Sequence, residues 1–149
     1  MRIPIQVLVY PVRYKNDKWE FLLLRRIESR GGFWQGVTGH TERGEKLIDG
    51  AKRELLEETS FVPNFILQTD FSYTIQLDEK NAKDYPPGTK EIPEYVFIAR
   101  LDHTDNPTLD PLEHNDWKWC SFDEALDLLF WETNKEALIY CNNYLTEQK

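Results

Sequence analysis

Three glutamates near the end of one predicted helix, Glu54, Glu57 and Glu58, are the residues best suited to chemistry in this chain. Side chains three and four positions apart are neighbours on a helix surface, so these carboxylates repel one another. The C-terminal end of a helix also carries partial negative charge, which disfavours acids there. Such a cluster either faces water or holds a cation. Divalent cations such as Mg²⁺ prefer oxygen ligands and bridge to substrate phosphates, so the cluster suits phosphate chemistry.

The helix that carries these acids is predicted over residues 46–58, with about 3.6 residues per turn. One of its faces is apolar and would pack on a sheet, since it contains Ile48, Ala51 and Leu55. Gly50 lies one turn before Glu54 and would leave open space beside the carboxylates, at a cost of about 1 kcal/mol relative to alanine. Arg53 lies one turn before Glu57 and is placed to hold it by a salt bridge.

The rest of the chain supplies strands and two further helices. Runs rich in β-branched, leucine and aromatic residues predict strands over residues 3–14, 19–26, 33–38, 65–77, 92–101 and 117–120. Capping-box patterns start helices at Ser121 and at Thr133, the second continuing to about Tyr144. Residues 78–91 and 102–116 are expected to form polar loops. The absence of regular βαβ alternation predicts a single α+β domain over residues 1–149, with helices against a mixed sheet.

Composition excludes several classes of function. The formal net charge is −8, which argues against nucleic-acid binding because that requires a basic surface. Small phosphorylated substrates stay compatible if a metal ion lies between the anions. The sequence has no apolar run long enough to span a membrane and no signal-peptide pattern. Cys120 and Cys141 have no zinc-type spacing and indicate reduced thiols in a cytoplasmic protein.

The stretch GHTERGEKLIDGAKRELLEETSF carries a resemblance to a known family. It reproduces the Nudix signature GX5EX7REUXEEXGU, where U is bulky and aliphatic, at Gly39, Glu45, Arg53, Glu54, Leu55, Glu57 and Glu58. Phe61 takes the last apolar position, but Ser60 stands where the family usually has glycine. A left-handed Ser60 would cost about 1 kcal/mol, or the helix would end differently, and either would tilt Glu58. The chain resembles a Nudix hydrolase, which implies an α/β/α sandwich and Mg²⁺ as cofactor, with Mn²⁺ as an alternative.

Three stretches outside the signature narrow the resemblance to one subfamily of Nudix hydrolases. They are FWQGVTGH, DYPPGTKEIPEYVF, and LEHNDWKWCSFDEAL followed by Trp131 and NKEAL. Their order is similar to that in bacterial dihydroneopterin triphosphate pyrophosphohydrolases, which also hydrolyse dATP. The resemblance therefore implies a small phosphorylated substrate of this kind.

The resemblance also implies roles for individual residues. It assigns metal binding and catalysis to residues of the signature and to one residue outside it. The metal ligands would be Glu54, Glu57, Glu58 and Glu113, and Arg53 would join them in the catalytic set. Glu113 would be a ligand or the general base, and otherwise an ordinary loop carboxylate. His114 would be a surface histidine or would support the site indirectly. Glu45 matches the first glutamate of the signature, which tends to be structural.

Candidate substrate-binding residues are Arg25, Arg26, Trp34 and Gly39. Strand alternation would direct one arginine toward the cleft and the other away, unless both belong to a solvated strand end. Trp34 would stack a pterin or purine ring, or pack in the core. Gly39, the first residue of the signature, completes the set.

The expected reaction is attack of water on a phosphorus of a triphosphate, releasing a monophosphate and pyrophosphate. Either Glu54 or Glu113 would accept the proton of the water. One alternative is a Nudix hydrolase of another nucleoside diphosphate derivative: a diadenosine polyphosphate, an oxidised nucleotide or a nucleotide sugar. The other alternative is a nucleotide-binding Nudix module without catalysis.

Overall fold

A seven-stranded mixed sheet forms the centre of the protein in the computed structural model, which describes residues 2–102 and 106–147. The strands are β1 (Gln6–Lys15), β2 (Lys18–Arg26), β3 (Trp34–Gln35), β4 (Val37–His40), β5 (Phe65–Gln76), β6 (Glu91–Arg100) and β7 (His114–Cys120). The main order is β3-β2-β1-β6-β5, with β4 also paired to β1 and β7 to β2. The β1–β6 pair is parallel and the other strand pairings are antiparallel.

Helices cover both faces of this sheet. They are α1 (Leu47–Thr59), α2 (Glu79–Ala82), α3 (Phe122–Leu128) and α4 (Glu132–Glu147), with a short 3₁₀ turn at Glu28–Arg30. Successive side chains of a strand point to opposite faces. On β1, Val7 and Val9 therefore pack in the core beneath α1, whereas Leu8 and Tyr10 pack in the core beneath α3 and α4. This burial on both sides explains why the central strand is apolar from Val7 to Val12.

The structure confirms the predicted fold class, an α+β domain in which helices flank a mixed sheet. The predicted extended piece over residues 33–38 is two short strands that break at Gly36. A Cβ at Gly36 would lie 2.9 Å from the backbone oxygen of Val9, so the close approach of β1 requires glycine there. None of the helices in the described residues is long and apolar enough to cross a bilayer.

The two predicted capping boxes had different outcomes. At Ser121 both hydrogen bonds of the box to Glu124 are present, which confirms the prediction. The prediction at Thr133 was wrong, because α4 begins at Glu132 and Thr133 lies in its first turn. The loop predicted over residues 78–91 contains α2, and residues 103–105 of the second predicted loop lie outside the described residues.

Candidate active site

Helix α1 presents the acidic residues of the signature beside the sheet. Ala51 and Leu55 are fully buried in the core on this face, so the predicted apolar face of the helix is confirmed. The adjoining face carries Glu54, Glu57 and Glu58. Packing of the apolar face therefore determines the rotation of the helix and with it the direction of the three carboxylates.

Arg53 organises one group of carboxylates, which we name the Arg53 group: Glu42, Glu45, Glu54 and Glu57, with Glu42 Oε1 at 2.9 Å from Arg53 Nε. The Arg53 guanidinium donates hydrogen bonds to Glu45 at 2.9 and 3.1 Å and to Glu54 at 3.0 Å. It donates a longer one to Glu57 at 3.3 Å. It also donates to the backbone oxygen of His40 at 2.9 Å, which ties α1 to β4. The hydrogen bond from Arg53 lowers the pKa of Glu45. The expected salt bridge to Glu57 is therefore the longest of these contacts.

Two glycines have packing roles that differ from expectation. A Cβ at Gly39 would lie 2.0 Å from the carboxyl carbon of Glu54, so Gly39 makes room for that carboxylate. The expected open space at Gly50 is wrong, because Gly50 is buried. A Cβ there would lie 3.0 Å from Glu45 Oε1 and 3.3 Å from Thr41 Cγ2. Gly50 thus lets the loop before the helix pack closely.

Glu58 belongs to a second group, which we name the buried group: Glu58, Glu113 and His114. One potential ligand atom from each residue lies within 4.8 Å of those of the others. Glu58 is only 3% exposed, and no N–H or hydroxyl group of the described residues donates to either of its oxygens. His114 Nδ1 lies 3.6 Å from Glu58 Oε1 and is also buried without a hydrogen-bond partner in the described chain. Of the two expectations for His114, the surface position is wrong, and its contact with Glu58 agrees with indirect support of the site.

The electrostatics of the buried group disfavour negative charge. Burial, followed by the charges of Glu54 and Glu113, raises the pKa of Glu58 to about 10. Burial also raises the pKa of Glu54 to about 7, against the lowering effect of Arg53. His114 has its pKa lowered to about 4 by burial and by Arg26. Buried ionised groups require a compensating charge, and here a cation would supply it.

A β-bulge brings Glu113 and His114 to this position. Arg25 pairs with Asp116, but Arg26 pairs with His114, so the register shifts by one residue at the end of β2. The backbone oxygen of Glu113 accepts a 3.0 Å hydrogen bond from the first N–H after β2. Bulges commonly redirect side chains near active sites, and this one places a carboxylate and an imidazole beside the end of α1.

The two arginines at the end of β2 point in different directions, as alternation predicts. Arg26 lines a large cleft next to the acidic residues, and its Nε is buried without a hydrogen-bond partner in the described part of the chain. Arg25 pairs with Glu28 at 2.7 Å instead. Trp34 is partly buried against the core, whereas Phe33 and Trp131 line the cleft. The position of Trp34 therefore gives no support for a stacking role.

The cleft has a volume of about 1520 Å³ and combines acidic and basic side chains. Glu54, Glu113 and Gly39 line it. Basic residues that the sequence analysis missed also line it: Arg2, Arg30 and Arg43. They are scattered along the chain without a motif, so only the fold brings them together. Glu57 is largely exposed beside Arg53 and lies outside the buried group, and its ligand role stays a prediction.

Comparisons with known proteins agree with this architecture. The NUDIX domain family matches residues 3–141. The chain is 30% identical over 139 residues to dihydroneopterin triphosphate diphosphatase of Escherichia coli, covering 91% of this chain and 89% of that protein. It is 35% identical over 120 residues to an isopentenyl-diphosphate Delta-isomerase of Halorhodospira halophila, covering 76% of this chain but only 63% of that protein. A crystal structure assigned to a NUDIX hydrolase of Listeria monocytogenes superposes with a TM-score of 0.83 at 31% identity, covering 97% and 96% of the chains.

Proposed function

Because the chain belongs to the NUDIX domain family, we propose that it is a metal-dependent pyrophosphohydrolase. It would cleave a nucleoside triphosphate-like substrate into the monophosphate and pyrophosphate. The observation that carries this proposal is the buried group, where Glu58 has no donor of its own and faces a second carboxylate and an imidazole. A buried carboxylate in this environment is suited to a cation, and the cleft beside it is rimmed by arginines suited to phosphates.

The residues at this position fit a hard divalent cation. Carboxylate oxygens are the ligands that Mg²⁺ and Mn²⁺ prefer, and three glutamates would hold the ion: Glu57, Glu58 and Glu113. His114 lies against Glu58 and would orient its carboxylate. When bound, the cation would neutralise phosphate oxygens and acidify the attacking water.

The side chains around the cation site would bind and orient the phosphates. Arg26 has an unpartnered buried Nε in the described part of the chain, and burial lowers its pKa against the raising effect of the charges of Glu113 and Glu58. Arg2 and Arg30 line the same cleft. Phosphoryl transfer depends chiefly on charge neutralisation and in-line positioning, which such an arrangement of arginines and acids would provide.

We assign the role of general base to Glu54. Gly39 and Arg53 hold its carboxylate in place, and burial raises its pKa to about 7, close to the value at which proton transfer is effective near neutral pH. Glu113 belongs to the buried group and would serve as a ligand.

Dihydroneopterin triphosphate is the preferred substrate that we propose, with dATP as a weaker one. The similarity to the Escherichia coli dihydroneopterin triphosphate diphosphatase extends over most of both chains, which supports this choice. Cys120 and Cys141 are free and buried, which supports a reducing compartment, and we propose the cytoplasm.

The test is pyrophosphate release from dihydroneopterin triphosphate and dATP by the purified protein, with Mg²⁺ and with EDTA. A diadenosine polyphosphate and a nucleotide sugar would be assayed beside them. We expect pyrophosphate only with the metal. Turnover confined to the other nucleotides would refute the proposed substrates, and no turnover of any nucleotide would refute the proposed activity.

A further inference from the structure

Three polar side chains form a row across the sheet on the face opposite to α1. Gln6 on β1 is the register partner of Glu94 on β6, and Tyr73 on β5 pairs with Glu94 from the other side. Leu8 and Val96, two residues further along their strands, lie in the core beneath α4, so the row shares that face. All three side chains line the cleft. We name them the polar row.

Glu94 is the unusual member of the polar row. It is 1% exposed, and it accepts hydrogen bonds from the Gln6 amide and the Tyr73 hydroxyl. Within residues 2–102 and 106–147 its hydrogen-bond partners are these neutral groups. Asn134 donates to the Tyr73 hydroxyl at 3.1 Å, and Tyr10 donates to the Asn134 backbone oxygen at 2.7 Å, which fixes the row against α4.

Burying a carboxylate that has only neutral partners costs stability, and a ligand that donates hydrogen bonds to it would offset that cost when bound. The position two residues further along β6 is Val96, so the sheet accepts an apolar side chain on this face. A carboxylate oxygen has two lone pairs. Each oxygen of Glu94 therefore retains acceptor capacity after its bond within the protein.

An aromatic wall stands on the side of the cleft next to Arg26. It is formed by Phe33, Phe130 and Trp131, whose ring centroids lie 4.9 to 5.9 Å apart. Phe130 is 64% exposed and Trp131 is 49% exposed, although both are large apolar residues. The guanidinium carbon of Arg26 lies 5.7 Å from the Phe33 ring centroid. A planar ring stacked on this wall would lie near Arg26.

We propose that the polar row and the aromatic wall form a selective site for a heterocycle that presents two adjacent hydrogen-bond donors, as guanine and pterin rings do. Glu94 would accept from the ring N–H and from the exocyclic amine, and Gln6 would contact the neighbouring carbonyl. This inference rests on the proposed function, since it places the ring at one end of the cleft and the phosphates at the other.

The chemistry of the edge predicts discrimination against adenine. Guanine and pterin place a ring N–H beside an amine, whereas adenine places a ring nitrogen lone pair beside its amine. A carboxylate repels that lone pair and gains one hydrogen bond instead of two. A good bidentate contact is worth about 10- to 100-fold in discrimination.

The first experiment uses the unaltered protein with Mg²⁺ and three monophosphates as probes: GMP, IMP and AMP. Binding would be followed by quenching of tryptophan fluorescence and checked by calorimetry. IMP keeps the ring N–H of GMP but lacks its amine. We expect GMP to bind more tightly than IMP, and AMP to bind about 10- to 100-fold more weakly than GMP. Equal affinities for the three probes would overturn the inference.

The second experiment separates edge recognition from stacking. Glu94→Gln should abolish the preference for GMP over AMP, whereas Trp131→Ala should weaken both by a similar factor and preserve the ratio, because stacking tolerates any base. Glu91→Gln changes an exposed carboxylate on the same strand and serves as the matched control. An unchanged ratio in a folded Glu94→Gln protein would overturn the inference.

Failure of the proposed hydrolase activity can be distinguished from failure of the proposed ring-binding site. GMP selectivity that depends on Glu94 would support the site even if no triphosphate were hydrolysed. Hydrolysis of triphosphates with the same rate ratio of dGTP to dATP before and after Glu94→Gln would support the function and refute the site. If Glu94→Gln did not fold, the GMP, IMP and AMP series on the unaltered protein would still decide.

Discussion

Two groups of carboxylates meet at helix α1, and they differ in what neutralises them. In the Arg53 group, one guanidinium reaches Glu45, Glu54 and Glu57 within 3.3 Å. In the buried group, Glu58 faces Glu113, and its ion-pair partner within the described residues is His114, whose pKa is lowered to about 4. The charge of Arg26 also acts on Glu58, but more weakly than burial does. The first group shares one guanidinium among its carboxylates, whereas the second requires a proton or a metal ion. The comparison separates acids that Arg53 orients from acids that depend on a proton or a metal ion.

Glu58→Gln is the strongest test of this difference, because it keeps the shape of the side chain but removes its charge. We expect kcat/KM to fall by about 10³-fold, equivalent to several kcal/mol of lost stabilisation by the metal. The melting temperature in EDTA should not fall, because the raised pKa already keeps Glu58 protonated without metal. Asp49→Asn alters an exposed acid of the same helix and should leave kcat/KM unchanged. Normal turnover by a folded Glu58→Gln protein would contradict the site.

Gly39→Ala tests the role of Glu54, which belongs to the Arg53 group but also lines the cleft. The new methyl group would lie 2.0 to 2.4 Å from the Glu54 carboxyl group. The tip of a flexible side chain moves easily, so Glu54 should shift while the fold persists. A displacement of about 1 Å can cost about 10²-fold in rate, and steady-state kinetics would measure it. In a Glu54→Ala background the same change should cost little more, and a full additional loss would contradict this explanation.

Arg53→Met tests the Arg53 group through stability. Removing the guanidinium leaves Glu45 and Glu54 without their cation, and we expect a loss of about 2 kcal/mol in the free energy of unfolding. This is below the range of about 3–5 kcal/mol for a fully buried pair, because Arg53 is 23% exposed and Glu57 is mostly exposed. Urea unfolding would measure the loss. Arg53→Lys should restore only part of it, since a lysine cannot form the same fork of hydrogen bonds.

The buried group should make the stability of the metal-free protein depend on pH. The folded-state pKa of Glu58 is raised to about 10 from 4.5, so the folded state binds more protons than the unfolded state between these values. Stability therefore falls as pH rises through this window. We expect a loss of about 1 kcal/mol from about pH 6 to about pH 8 in EDTA, below the full linkage slope of about 1.4 kcal/mol per unit. Glu58→Gln in EDTA should remove most of the decline and leave the part below about pH 7 that Glu54 contributes, since its pKa is raised to about 7. Saturating Mg²⁺ should also reduce the decline, and an unchanged decline in the variant would contradict its cause.

The elements that the sequence predicts well are those with short-range periodicity. The apolar face of α1 is set by Ala51 and Leu55, and the Ser121 cap depends on residues three positions apart. Most strand positions follow from composition and alternation in the same way. A helical wheel failed at Gly50 because it describes one helix and not Thr41, which the preceding loop brings against it.

The site itself was predicted in part. The spacing of Glu54, Glu57 and Glu58 indicates a cation site, but the buried group forms only because a bulge in β7 aligns His114 with Arg26. The polar row joins residues 88 positions apart through β-sheet register. Such contacts depend on which strands pair, and no local pattern encodes that pairing.

Ser60→Gly should produce the smallest effect. Ser60 has φ 67° and ψ 12°, a left-handed conformation, and its N–H donates to the Leu56 oxygen at 2.8 Å. The helix therefore ends as it would with glycine, and Glu58 stays buried despite the departure from the signature. The strain of about 1 kcal/mol or more would be relieved by glycine, but glycine also gains entropy in the unfolded chain. We expect a net stabilisation of about 0.5 kcal/mol by urea unfolding, with kcat/KM unchanged. A change in kcat/KM would show that the residue at this position adjusts Glu58, and that the end of α1 belongs to the catalytic geometry.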